Sequence, residues 1–173
     1  IFMKETGVIL IFRIWSHTSV IWWMLCRLHL VRGNHLFKRL HHQYIARVLN
    51  SLNALLLLDN HCLFGGGTAI ALRYGEYRES VDIDFLVSDI ECCRNLRQLM
   101  TSPSGIVAIL REGAEKLEQS RLVRADRYGI RTMLLVDNYT IKFEIVLEGR
   151  IQLESPDSQD EICGITTLNL LDM

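Results

Sequence analysis

Three consecutive glycines at positions 65–67 constrain the fold more than any other part of the sequence. Glycine adopts backbone conformations that other residues avoid, so the run predicts a tight turn between a short buried strand (61–64) and a helix (68–74) that ends at Gly75. Backbone N–H groups at the start of such a helix attract an anion such as a phosphate. The turn is therefore a candidate phosphate cradle, a structural corner, or both.

Two aspartates separated by one residue, Asp82 and Asp84, follow this turn on a predicted strand over residues 81–87. Side chains alternate along a strand, so both carboxylates are expected on the same face. Carboxylates held this close repel each other, and a divalent cation is the simplest reason to keep them together. A solvated strand edge is the structural alternative. Together, the turn and the acid pair predict metal-assisted phosphoryl or nucleotidyl chemistry.

Length, charge and cysteine content narrow the class of protein. A chain of 173 residues is long enough for one domain with a substantial core. Its net charge of −1 means that a nucleic-acid partner would have to be recognised through a local patch. Five cysteines without metal-ligand spacing argue against a disulfide framework and favour a reducing cytoplasm.

The hydrophobic pattern predicts an α+β fold with a mixed, mostly antiparallel sheet flanked by helices. An amphipathic helix of roughly 15–20 residues is expected from His35, with His41 and His42 on its solvated side and residues 54–58 as its continuation. Further helices are predicted over 90–100 and 105–119. Strands are predicted over 121–126, 131–136 and 139–147, joined by tight turns.

The pattern divides the chain into three parts. Residues 1–34 form an apolar N-terminal extension, whose longest charge-free run of 13 residues (14–26) is shorter than the about 20 that a membrane span requires. We therefore expect no stable membrane association, and we favour an upstream extension or a helix packed on the domain over an export signal. Residues 35–165 form the core domain. Residues 166–173 are expected to begin a truncated C-terminal helical region, N-capped by Thr166 or Thr167, so both ends are expected to be those of a fragment.

The order and spacing of the motifs resemble the nucleotidyltransferase superfamily with a DNA-polymerase-β-like palm. The resemblance rests on the turn, on 13 intervening residues, on the acid pair, and on two residues in front of that pair: Gly66, Gly67, Thr68, Asp82, Asp84, Arg78 and Ser80. Within the superfamily, the sequence is most similar to the AbiEii/AbiGii-type toxin nucleotidyltransferases, over roughly residues 36–173.

The resemblance implies catalytic and metal-binding roles for three acidic residues. Asp82 and Asp84 would hold two Mg²⁺ ions, and a third acid from a neighbouring strand would complete the site. We choose Glu144 as this third acid, with Glu148 in reserve. The structural alternative for Glu144 is a surface pair with Lys142.

The resemblance also implies a nucleotide-binding role for the turn. Gly66, Gly67 and Thr68 would contact the β- and γ-phosphates through backbone N–H groups and the threonine hydroxyl. Arg78 and Ser80 would lie beside the nucleotide, although Arg78 could instead pair with Glu76 or Asp84.

The implied activity is Mg²⁺-dependent transfer of a nucleotide from an NTP to an acceptor hydroxyl. RNA, especially a tRNA 3′ end, is the implied acceptor, and a toxin–antitoxin or abortive-infection system with a cognate antitoxin is the implied setting. A second hypothesis keeps the chemistry but uses a protein or small-molecule hydroxyl. A third is a catalytically silent domain that binds a nucleotide or a partner, because the C-terminal lysine and aspartate residues usual in these toxins have no counterpart here.

Overall fold

The computed structural model describes residues 37–173, and a five-stranded sheet lies at its centre. In chain order the strands are β1 (Leu63–Gly65), β2 (Ile83–Val87), β3 (Glu118–Asp126), β4 (Gly129–Val136) and β5 (Tyr139–Leu147). Their order across the sheet is β1-β2-β5-β4-β3. Strands β2 and β5 run parallel, and every other neighbouring pair is antiparallel. The predicted α+β class with a mixed, mostly antiparallel sheet is confirmed.

Within residues 37–173, four α-helices and a small hairpin accompany the sheet. The helices are α1 (Leu40–Ser51), α2 (Ala54–Asp59), α3 (Gly66–Arg73) and α4 (Ile90–Met100), and a 3₁₀ helix spans Gly105–Ile109. The hairpin pairs β6 (Glu161–Ile162) with β7 (Ile165–Thr166). None of the helices in this part of the chain is long and apolar enough to cross a lipid bilayer.

The core lies against one face of the sheet. Strands β2, β4 and β5 each alternate buried with half-buried residues, which is the pattern of a sheet packed on one side. Three phenylalanines link neighbouring strands: Phe64 and Phe143 each lie 5.5 Å from Phe85, measured between ring centroids. The opposite side, which we call the open face, carries the half-buried alternating residues Asp84, Arg131, Met133, Lys142 and Glu144.

The long N-terminal helix predicted from His35 is two helices. Leu52 is extended and pairs with Leu110, which stops α1 at Ser51. The side chain of Asn53 then accepts a hydrogen bond from the backbone N–H of Leu56, and so caps the start of α2. The prediction of one continuous helix was wrong because this capping residue restarts the helix in a new direction.

The helix predicted over residues 105–119 is also wrong. Gly105 has a positive φ of 55°, and only the 3₁₀ helix follows it. Leu110 is then extended, and Arg111 donates a backbone hydrogen bond to Ser51. Pairing with the end of α1 therefore replaces the apolar helical pattern that the sequence carries.

Residues 168–173 form no helix, so the predicted C-terminal helix start is wrong as well. Thr166 lies in β7, and Thr167 pairs with Phe64 of β1. Leu168 is buried and packs against the backbone of Gly65. The predicted strand over 139–147 and the helix over 90–100 are confirmed with the same bounds. The predicted N-terminal extension, residues 1–34, lies outside the described residues.

Candidate active site

The register of the sheet brings the glycine turn and two of the predicted acids into one row. Asp84 on β2 lies opposite Gly65 on β1 and opposite Glu144 on β5. Directly opposed residues lie about 5 Å apart and share a face. Asp82 comes two residues before Asp84, just ahead of the first residue of β2. The three predicted catalytic acids therefore meet on the open face beside the turn.

The electrostatics of Asp84 reflect this grouping. Its pKa lies above the usual value for an aspartate, chiefly because burial disfavours the charged carboxylate. The charge of Lys142 opposes this shift, and the charges of Asp82 and Glu144 add to it. The acids thus interact across the sheet, and ionising Asp84 works against folding when no cation is bound.

A lysine lies among the three carboxylates. Lys142 Nζ forms an ion pair with Glu144. The pKa of Lys142 is raised, first by this hydrogen bond and further by the charges of Glu144, Asp84 and Asp82, against the effect of burial. On its other side, Glu144 lies 3.5 Å from Arg131 Nε. The Lys142 pairing considered for Glu144 is present, and it places a positive charge where the acids converge.

Gly66 is required by its conformation and by its contact with Asp84. Its φ is +71°, in the left-handed region that favours glycine. A Cβ at this position would lie 3.0 Å from Asp84 Oδ2 and 3.1 Å from Asp84 Cβ. The glycine therefore lets the turn approach the carboxylate more closely than any other residue would.

Gly67 gives the same close approach to Arg78. A Cβ on Gly67 would lie 2.2 Å from Arg78 Nη2, so the guanidinium rests on the start of α3. Arg78 is exposed, donates a hydrogen bond from Nε to the Tyr77 hydroxyl at 3.2 Å, and forms no ion pair within residues 37–173. Pairing of Arg78 with Glu76 or Asp84, considered from the sequence, is not found. No side chain caps the N-terminus of α3, so its first N–H groups and an unpaired guanidinium lie together.

Thr68 has a structural contact that its predicted role did not include. It is buried, and its hydroxyl donates to the carbonyl oxygen of Asp82 while lying 2.8 Å from Ser80 Oγ. These contacts tie the start of α3 to the segment that carries Asp82. The backbone N–H groups, more than the Thr68 hydroxyl, are therefore the groups of this turn that remain available to a phosphate.

The same segment is held from the other side by a buried histidine. His42 is fully buried, which makes the prediction of a solvated side chain wrong. Its Nε2 accepts the backbone N–H of Ser80 at 3.1 Å, and its Nδ1 lies 2.8 Å from Glu76 Oε1. An accepting Nε2 carries no proton, so His42 is neutral and Nδ1–H donates to Glu76. No sequence pattern indicated this contact, because it joins residues 34 and 38 positions apart.

Glu76 also helps to hold the loop between α3 and β2 in place. Burial alone would raise its pKa, but hydrogen bonds from the backbone N–H groups of Lys38 and Arg39, and one from His42, leave the pKa below its usual value. The carboxylate therefore fastens the loop between α3 and β2 to the start of α1. The reserve acid Glu148 lies elsewhere: it follows β5 and pairs with Arg150, whose hydrogen bonds lower its pKa to about 2.

Whether the acids suit a metal ion depends on both geometry and donor chemistry. Within residues 37–173, no three His, Cys, Asp or Glu side chains already stand close enough together to hold an ion. The donor chemistry does fit, because Mg²⁺ prefers carboxylate oxygens and the pKa of Asp84 is raised even with the charge of Lys142 nearby. An ion bound here would compete with the ammonium group of Lys142 for the Glu144 carboxylate.

A helix N-terminus, an arginine without an ion pair in residues 37–173 and a row of carboxylates lie together on one α+β sheet, an arrangement compatible with phosphoryl or nucleotidyl transfer. The chain belongs to the AbiEii family: the family model described as "Nucleotidyl transferase AbiEii toxin, Type IV TA system" matches residues 47–173. It is thus a member of a nucleotidyl transferase family of toxins, for which a nucleotide substrate and a cognate antitoxin are implied. Searches of curated proteins and of solved structures returned no match.

Proposed function

We propose that this protein is an Mg²⁺-dependent nucleotidyltransferase that moves a nucleotide from an NTP to the terminal hydroxyl of an RNA, with tRNA as the first acceptor to test. The observation that carries the proposal is the row Gly65–Asp84–Glu144, which lies within the segment matched by a nucleotidyl transferase family. The free cysteines at positions 62, 92, 93 and 163 are compatible with a cytoplasmic setting.

In this proposal the three acids bind the ions. Asp82, Asp84 and Glu144 would hold Mg²⁺, which supplies charge neutralisation at the triphosphate and a lowered pKa of the acceptor hydroxyl. The raised pKa of Asp84 supports this role, because a bound cation offsets the penalty of keeping its carboxylate ionised. Lys142 offers a cation that neutralises the acids before substrate binds.

The triphosphate would lie against the start of α3. The uncapped N–H groups after Gly65 and the guanidinium of Arg78 present positive charge on the same side of the turn. A planar guanidinium binds phosphate oxygens through two donors at once, which fixes orientation as well as charge. His42 and Thr68 would position Arg78 and Asp82 by holding the loop from both sides, without contacting the substrate themselves.

Label transfer from each of the four α-labelled NTPs to total tRNA tests this proposal. The expected result is Mg²⁺-dependent labelling by the wild-type protein, with loss in Asp82→Ala and Asp84→Ala. Labelling of a protein or an aminoglycoside in place of tRNA would support the alternative acceptors. No transfer to any acceptor, with nucleotide binding retained and unchanged in both variants, would contradict the proposal and favour a binding domain.

A further inference from the structure

Two arginines of the outer strand β3 face the same way as the acidic row. Arg121 lies opposite Met133 of β4, and Arg124 lies opposite Arg131. Residues directly opposed in an antiparallel pair share a face. Met133 and Arg131 alternate with the buried residues of β4, so they lie on the open face. Arg121 and Arg124 therefore lie on the open face too.

This placement depends on irregular pairing. Residues three apart in a regular strand point to opposite faces, so Arg121 and Arg124 would normally diverge. The register shifts once between Gln119 and Arg121 and again between Arg121 and Arg124. Irregularities of this kind re-aim side chains near functional sites. Here they bring both guanidiniums to the same side of the sheet.

The two arginines also carry free positive charge. Both are exposed, and neither forms an ion pair within residues 37–173. Asp126, two residues after Arg124, lies 3.4 Å from Arg131, and Glu144 is held by Lys142. The chain has a net charge of −1, so this concentration of positive charge is a local property.

Arg124 lies in line with the candidate active site, and Arg121 lies on the neighbouring cross-strand row of the same face. Arg124, Arg131, Glu144 and Asp84 are cross-strand neighbours on β3, β4, β5 and β2 in turn. Three strand spacings of about 4.8 Å place Arg124 roughly 14 Å from Asp84. A polyanion that reaches Asp84 along this row would pass over the guanidiniums.

We propose that Arg121 and Arg124 bind backbone phosphates of the acceptor RNA and lead its terminal hydroxyl towards Asp84. This inference rests on the proposed function and adds the surface on which the acceptor lies. Sequence-independent binding of RNA is dominated by contacts between basic side chains and phosphates, and each contact contributes to the salt dependence of affinity. Two unpaired arginines on one face supply two such contacts.

Equilibrium binding of 5′-fluorescein-labelled tRNA to the full chain tests the surface without any chemistry, because no NTP is present. The test variant is Arg121→Gln/Arg124→Gln. The matched control is Arg94→Gln/Arg150→Gln, which changes the net charge equally at the exposed ion pairs with Glu91 and Glu148.

The expected result is a change in salt dependence. Between about 50 and 200 mM salt, the test variant should lose roughly 1.4–1.8 from the slope of log K against log salt, because each lost phosphate contact removes about 0.7–0.9. Its affinity at low salt should fall by about tenfold or more, while the control stays within about twofold of wild type. Equal losses in both double variants, or an unchanged slope in the test variant, would overturn the proposal.

Charged side chains on an outer strand can also serve only to prevent pairing with another sheet. In that case the test variant should self-associate in sedimentation velocity and bind tRNA normally, which would also overturn the proposal. The transfer assay distinguishes a failure of the proposed RNA-binding surface from a failure of the proposed function. Transfer by wild type with an unchanged KM for tRNA in Arg121→Gln/Arg124→Gln refutes the surface alone. Arginine-dependent tRNA binding without transfer refutes the proposed function alone.

Discussion

Replacing Gly66 with alanine should damage the site more than it damages the fold. The substitution has two costs: the strain of φ +71° and a Cβ that meets Asp84 at 3.0–3.1 Å. Gly113 offers a matched control, because its φ is +69° and a Cβ there would meet nothing within 4 Å. Gly113→Ala therefore carries the strain without the contact.

The strain term should be similar in both variants. An L-residue in the left-handed region costs roughly 1–2 kcal/mol, which corresponds to a fall in Tm of about 2–8 °C for a chain of this size. Only Gly66→Ala adds a steric contact with Asp84 to this strain. The new Cβ would lie about 0.5 Å inside the optimal carbon separation of about 3.5 Å, so the Asp84 side chain must move by a similar distance.

That displacement should reduce activity. Because a misplacement of 1 Å can cost about 100-fold in rate, a shift of about half that size predicts a loss of roughly tenfold for Gly66→Ala and almost none for Gly113→Ala. Thermal unfolding followed by circular dichroism measures the first effect, and initial rates of transfer from an α-labelled NTP measure the second. Equal activity in the two variants, at equal loss of Tm, would refute the argument that Gly66 positions Asp84.

Three further substitutions probe separate parts of the site. Gly67→Ala should leave the free energy of unfolding unchanged or slightly higher, since alanine favours helix. It should raise the KM for NTP, because the new Cβ displaces Arg78. A normal KM would count against Arg78 as a phosphate ligand. Asp84→Asn should raise Tm at pH 7, because a carboxyl with a raised pKa destabilises the fold once ionised. That gain should shrink as the pH falls through the raised pKa of Asp84 in the folded state, and vanish below about 4, where the carboxyl is protonated in both states; a gain independent of pH would contradict it. His42→Ala should lower the free energy of unfolding in urea by about 2–5 kcal/mol, since it leaves a cavity and removes the partner of the Ser80 backbone N–H. The same change at the partly exposed neighbour His41 should cost less than about 1 kcal/mol, and similar losses at both positions would refute the buried network.

The sequence correctly predicted those strands and helices whose structure depends on residues close together in the chain. The strand over 139–147 alternates apolar and polar residues along its length, and its bounds are confirmed. The helix that ends before Gly75 is confirmed too, with that glycine at φ +73° and Glu76 donating back to Ala71. These signals lie within a few residues of the structure that they determine.

The failures involve contacts between distant segments. Nothing near Leu110 indicates that it pairs with Leu52, and this pairing ends both the predicted helices around them. His42 is a polar residue between His41 and Gln43, so the sequence gives no reason to expect its burial. Contacts with Glu76 and Ser80 satisfy both ring nitrogens and allow the side chain to be buried.

The same distinction between nearby and distant residues applies to the candidate site. The acid pair and the glycines were visible because their spacing is short and distinctive. The choice of Glu144 depended on a resemblance, and its position beside Asp84 depends on the parallel pairing of β2 with β5, for which the sequence has no local signal. The faces of Arg121 and Arg124 depend on register irregularities that an alternation pattern hides.

The most direct test of the account is a comparison of Glu144→Gln with Glu148→Gln in the NTP-to-tRNA transfer assay. Glu144 lies within β5 and Glu148 directly follows that strand, but only Glu144 is in register with Asp84. The account predicts that Glu144→Gln lowers kcat by at least about 100-fold, while Glu148→Gln stays near wild type, with both variants folded by circular dichroism. Normal transfer by Glu144→Gln, or an equal loss in Glu148→Gln, would contradict the account.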